Sequence, residues 1–233
     1  MNRAILIFLS LGTLLSAVSG GARGQAGSAT TSSANSVASA NARLIDGVAA
    51  RIEDDIITES EVRELAAFQL LVDGRAKPRP ELIQELADQW IASGEARVAY
   101  YPEPSEEDVN LLFEQLRAKF PSADEFHKRA VEVGLTEADI HRLLQKQLYL
   151  SRFLDYRFRP AAQVDQKQIE AYYNDQLVPK LKQQGQPIPP LEDVQEAIQE
   201  VLVQRVISDR STVWLNETRA RLKMDILAEG EQP

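Results

Sequence analysis

His127 and His141 are the only two histidines in a chain of 233 residues that contains no cysteine. The side chains that most often serve as general base, nucleophile or soft metal ligand are therefore nearly absent. A Ser-His-Asp site needs an imidazole placed between a nucleophile and an orienting acid. Here each histidine lies in a helical pattern beside a cation, His127 next to Lys128 and His141 next to Arg142, and reads as surface. A zinc site wants three or four His, Cys or carboxylate ligands at short spacing, and no such cluster is written. Carboxylates are abundant, but Asp54-Asp55 reads as a turn, and Glu106-Glu107-Asp108 as first-turn charges that favour a helix dipole, rather than as acid/base or calcium pairs. Neither G-x-x-x-x-G-K-[ST] nor a strand-borne G-x-G-x-x-G occurs. The expectation is a protein that is not an enzyme and uses no cofactor, metal or nucleotide.

Aromatic contact is the other available chemistry. Phe113, Phe120, Phe126, Tyr149, Phe153, Tyr156 and Phe158 fall in the middle of the chain. Most such residues belong to a core, and a minority can line a groove that accepts apolar peptide segments. The candidate peptide-binding residues are Phe113, Leu116, Phe120, Phe126, Tyr149 and Phe153.

The elements that must position these residues are mostly helices. In GVAARIEDDIITESEV, from Gly47 to Val62, a short β-type run passes through an acidic turn, resumes at Ile56-Ile57, and meets an N-cap at Thr58 or Ser60. Val62, Leu65, Phe68 and Leu71 then recur at helical spacing up to Asp73-Gly74. Pro80 suits the first position of a second helix carrying Leu82, Ile83, Leu86, Trp90 and Ile91, expected to fray near Gly94. Ser105 with Asp108, Ser122 with Glu125, Thr136 with Asp139 and Asp165 with Gln168 each resemble a capping box. The longest of these helices should reach Arg159, where Pro160 ends it. After a turn at Pro187, Pro189 and Pro190, another helical stripe runs from Val194 towards Trp214. Leu222 to Leu227 then alternates with a period of two, as a strand does. An unpaired strand leaves backbone donors and acceptors open, so the two β-type stretches at opposite ends are expected to pair. The fold class is mainly α, with a small β-element formed by N-terminal and C-terminal strands.

The first residues of the chain suggest export. Arg3 precedes an apolar run from Ala4 to Val18 and then small residues, the pattern of a secretory signal. Cleavage after Gly24 or after Ala26 fits equally, and the absence of cysteine excludes a lipidated N-terminus. We divide the chain into a signal at 1–26, a flexible Ser/Ala/Gly-rich linker at 27–43, a helical domain at 44–228 (core 44–160, C-terminal helices and strand 164–228) and a tail at 229–233. Once the signal is removed, no integral membrane span is expected. The formal charge is −9, which makes nucleic acid a poor partner.

Taken together, several segments resemble the SurA-like, PpiC/PrsA-related exported folding factors. LIDGVAARIEDDIITESEV looks like their opening strand and helix entry, with Glu53 where the family often has Asn. SADEFHKRAVEVGLTEADIHRLLQKQLYLSRFLDYRF is similar to their paired core helices, VDQKQIEAYYNDQL to the helix that leads into an isomerase module, and STVWLNETRARLKMDIL to the closing helix and return strand. Where active family members carry a parvulin domain, only Asn174 to Leu191 intervenes here, so isomerase activity does not carry over. The resemblance implies a periplasmic or otherwise extracytoplasmic, ATP-independent chaperone that holds unfolded exported or outer-membrane proteins. The competing expectation is an adaptor or structural subunit that binds one folded partner through its helical surface.

Overall fold

The computed structural model describes residues 46–228. The expected signal at 1–26, the linker at 27–43 and the tail at 229–233 lie outside the described residues. The described part is mainly helical, with a small antiparallel sheet built from the two ends.

The sheet begins as a hairpin. Strand β1 (Val48–Ile52) turns at Glu53 and Asp54 into β2 (Asp55–Thr58). Strand β3 (Met224–Ile226) pairs with the other edge of β1, giving the order β2-β1-β3. Ala50 faces Ile226, Arg51 faces Asp225 and Ile52 faces Met224. The expected pairing of Leu222–Leu227 with the N-terminal strand is present, and Leu227 N–H also donates to Ala49 O at 3.0 Å. Glu53 has a positive φ of 50°, a region unfavourable to most side chains. Its N–H donates to Lys223 O at 2.9 Å, and its carboxylate accepts from Lys223 N–H at 2.7 Å. The strained turn residue is thus also the residue that fastens the C-terminal strand.

Helix α1 (Glu59–Asp73) starts on Thr58, the N-cap in a full capping box with Glu61, and stops at Gly74 with φ 71°. Helix α2 (Arg79–Val98) follows, with Pro80 in its first turn. It does not fray at Gly94. The turns around Gly94 are held because Ala92 and Ala96, both buried, pack against Tyr149, Leu150 and Phe153; small side chains let two helices approach closely enough to bury large ones between them. Helices α3 (Glu106–Arg117), α4 (Ala123–Glu132) and α5 (Glu137–Phe158) are capped by Ser105, Ser122 and Thr136. Helix α5 ends one residue before the expected Arg159, which instead opens a 3₁₀ turn with Pro160.

Beyond that turn, α6 (Gln166–Tyr172), capped by Asp165, runs through a π turn (Tyr173–Leu177) into α7 (Val178–Gln183). A loop holding Gly185 and the three prolines leads to α8 (Leu191–Arg219). The α8 helix returns to the first half of the protein: Arg219 donates two 3.0 Å hydrogen bonds to the carboxylate of Asp88 on α2.

The largest core group joins α1, α3, α4 and α5 around Phe68, Leu112, Phe113, Phe126 and Ile140. A second joins the sheet to α1 and α2 through Ala50, Ile52, Val62 and Ile83. Among the described residues, no helix is long and apolar enough to cross a membrane.

Candidate functional site

Five of the six residues expected to contact peptide are buried. Phe113 and Leu116 on α3 and Phe126 on α4 point into the largest core group, and Phe120, just past α3, packs half-buried against it. Phe126 meets the rings of Phe113 and Phe120 edge to face, with centroids 5.5 and 5.2 Å apart. Tyr149 and Phe153 belong to a different group, under α2. The six therefore do not line one surface. Their types and spacing are those of core residues, and in this structure they act as core.

The histidines also separate. His127 is exposed, whereas His141 is half-buried, with its ring stacked on Phe113 at 4.2 Å. Among the described residues, no group of three or more His, Cys, Asp or Glu is arranged to hold a metal ion.

What reaches solvent is a tyrosine ledge at the end of α2. Tyr101 lies against three rings of α5, with centroids 5.9 Å from Tyr149, 5.7 Å from Phe153 and 5.3 Å from Tyr156. The Tyr149 hydroxyl donates to Tyr101 O at 3.4 Å. The stack thus rises from the buried Phe153 to Tyr156, which is 63% exposed, with Val98 and Tyr100 on the adjoining turn at 78% and 94%.

Tyr100 is the unusual member. Helix α2 closes in a Schellman arrangement: Tyr100 N–H donates to Arg97 O and Tyr101 N–H to Ala96 O. This motif puts its central residue in the left-handed region, usually as glycine. Helices α4 and α7 close the same way, and there the residue is Gly134 (φ 81°) and Gly185 (φ 63°). At the end of α2 it is Tyr100, with φ 50°. A side chain in that region costs about 1–2 kcal/mol relative to the right-handed form, and a ring that is almost wholly exposed returns little of it through packing. Local strain of this kind often accompanies a binding role. The adjacent Tyr100-Tyr101 after a helix end was the available sequence signal.

Ion pairs frame the ledge. Arg152 on α5 donates to Asp108 on α3 at 2.8 Å, and Ser105 Oγ–H donates to the same carboxylate, holding it well below the ordinary range. Arg159 forks onto Asp155 and Glu200 at 2.7–3.0 Å, with Gln204 donating to both, and so joins α5 to α8. At Asp155 burial raises the pKa, but hydrogen bonds from Arg159 and Gln204 outweigh it. At Glu200 the Arg159 hydrogen bond leads, and the pKa is lowered. Asp139 is lowered chiefly by hydrogen bonds from Thr136. Burial instead pushes Asp88 up, against the nearby Arg219.

These directions fix the acid response. A carboxyl depressed in the folded state adds stability above its unfolded value, 3.8 for Asp, and loses it as the pH falls through the folded value. Asp88 and Asp73, both raised by burial, act in the opposite sense and favour the fold in their protonated forms, but they are two against four depressed groups. Stability should therefore fall on acidification below about pH 4. Asp108→Asn is expected to lower stability at neutral pH and to flatten that fall, as read from urea midpoints across pH.

The chain matches no protein-family model, and no curated protein sequence matches it.

Proposed function

We propose that this chain is an ATP-independent holdase that captures unfolded segments of exported or outer-membrane proteins outside the cytoplasm, in the manner of the SurA-like domains its segments resemble. The observation that carries the reading is the tyrosine ledge: a ring stack anchored in the core, open at Tyr156 and extended by a strained, exposed Tyr100. Tyrosines offer apolar faces and polar edges with little rotamer entropy to lose, which suits contact with many sequences. Burying two or three client side chains is worth about 1.5–3 kcal/mol each before ordering costs. The sum, about 3–9 kcal/mol before those costs, reaches micromolar binding only at its upper end, weak enough for capture and release.

Isomerase activity is not part of the proposal. The interval between Tyr173 and Leu191 is taken up by the π turn, α7 and a loop, which leaves no room for a domain of parvulin size.

The test couples stability to capture. Tyr100→Gly should stabilise the fold by about 1 kcal/mol by relieving the left-handed strain. With Tyr156→Ala added, peptide affinity should weaken roughly tenfold, read as loss of aggregation suppression in light scattering of a denatured client. If the unaltered protein neither suppresses aggregation at stoichiometric amounts nor binds unfolded peptide, the holdase reading fails.

A further inference from the structure

The hairpin formed by α6, the π turn, α7 and the start of α8 has no inside. From Glu170 to Ala197 no side chain is buried. Its apolar residues are nonetheless arranged in helical stripes: Leu177, Val178 and Leu181 on one arm, Leu191 and Val194 on the other, all half-buried. Half-burial leaves part of each of these apolar side chains in solvent, a surface that a further helix could cover. The segment is tied down at both ends: Tyr173 Oη–H donates to Pro189 O, in the loop before α8, at 2.8 Å, and Arg205 of α8 lies over the Tyr172 ring at 5.7 Å.

Charge follows the two arms. Lys180 and Lys182 lie on α7, and Glu192, Asp193 and Glu196 on the first turns of α8. All five are exposed, and none takes part in an ion pair or a side-chain hydrogen bond, although most other charged residues along α5 and α8 are paired. The first-turn acids also suit the helix dipole, but that accounts for neither Glu196 nor the two exposed cations on the short α7, where no acid lies.

We propose that this hairpin is a self-association surface whose partner is a second copy of the same chain. In a two-fold contact, residue i meets residue j and j meets i. Laid antiparallel, the α7 of one copy lies along the α8 of the other, and Lys180 and Lys182 meet Glu192, Asp193 and Glu196 twice over. The half-buried stripes of both copies then become the interior of a four-helix arrangement. A chain of net charge −9 repels its own copies in general, so a contact between copies needs a locally cationic arm, which α7 supplies. The proposal is independent of the holdase reading.

Sedimentation equilibrium of the full chain tests it. The mass should rise from one chain to two across the micromolar range. K180E/K182E and E192K/D193K/E196K should each raise the self-dissociation constant at least about tenfold with unchanged far-UV circular dichroism. Mixing the two variants should restore a two-chain species with one copy of each in native mass spectrometry, a recovery that misfolded variants do not give. A one-chain mass at hundreds of micromolar, self-association unaltered in both reversals, or mixed variants that stay single while folded would each overturn the proposal.

Discussion

Phe126→Ala should lose about 3–5 kcal/mol of stability, the range for truncating a large buried aromatic. The ring is 1% exposed and sits between Phe113 and Phe120, so its removal leaves a cavity among three helices and deletes two edge-to-face contacts. Neighbouring rings of fixed shape limit how far the site can collapse, which places the cost towards the upper part of the range. Domains are stable by about 5–15 kcal/mol in total, so the loss is a large share of the whole. The measurement is a urea titration, with the midpoint falling while the slope stays near that of the unaltered protein. The same variant separates a core role from a contact role. A peptide-contacting Phe126 would leave the urea midpoint in place and weaken only client capture.

Removing the return strand is the second large effect. A chain ending at Leu222 loses the pairing of Met224–Ile226 with β1, together with the hydrogen bonds from Glu53 N–H to Lys223 O and from Leu227 N–H to Ala49 O. It also removes the 3.1 Å hydrogen bond that Arg79, paired with Glu59, donates to Leu227 O. Ala49, Ala50 and Ile52 are fully buried, so one edge of a buried strand would be left open. Each buried backbone group left without a partner costs about 1–3 kcal/mol, and a few such groups bring the loss to several kcal/mol. Amide hydrogen exchange provides the check. Protection should collapse first across β1 and β2 and persist longer in α3, α4 and α5, whose core does not include the sheet. Uniform loss of protection, or none, would show that the strand does not act as a local clasp.

The helix starts were legible for a local reason. Ser105, Ser122, Thr136 and Asp165 each cap the helix they precede because a short polar side chain bonds the N–H three residues later, within a single turn. The partnership of the chain ends was legible too, since a lone β-run among helices has few places to satisfy its backbone. Gly94 shows where such reading stops. Its low intrinsic helix propensity suggests a break, but the packing of Ala92 and Ala96 against α5 outweighs a cost of about 1 kcal/mol.

The candidate site shows the same boundary more sharply. Phe126 and Tyr156 both recur at helical spacing in apolar patterns, yet one is sealed between α3 and α4 and the other stands in solvent beside Tyr101. By itself the sequence determined a mainly helical chain, its caps, the pairing of its two ends and the scarcity of catalytic side chains. These rest on interactions within a turn, or on backbone groups that must find a partner. Only the tertiary structure decided which aromatics are covered, that the end of α2 holds Tyr100 in a glycine's conformation, and that the apolar residues of α7 and the first turns of α8 stay half-exposed. Exposure is set by which distant helix arrives on a given face, and no local spacing carries that information.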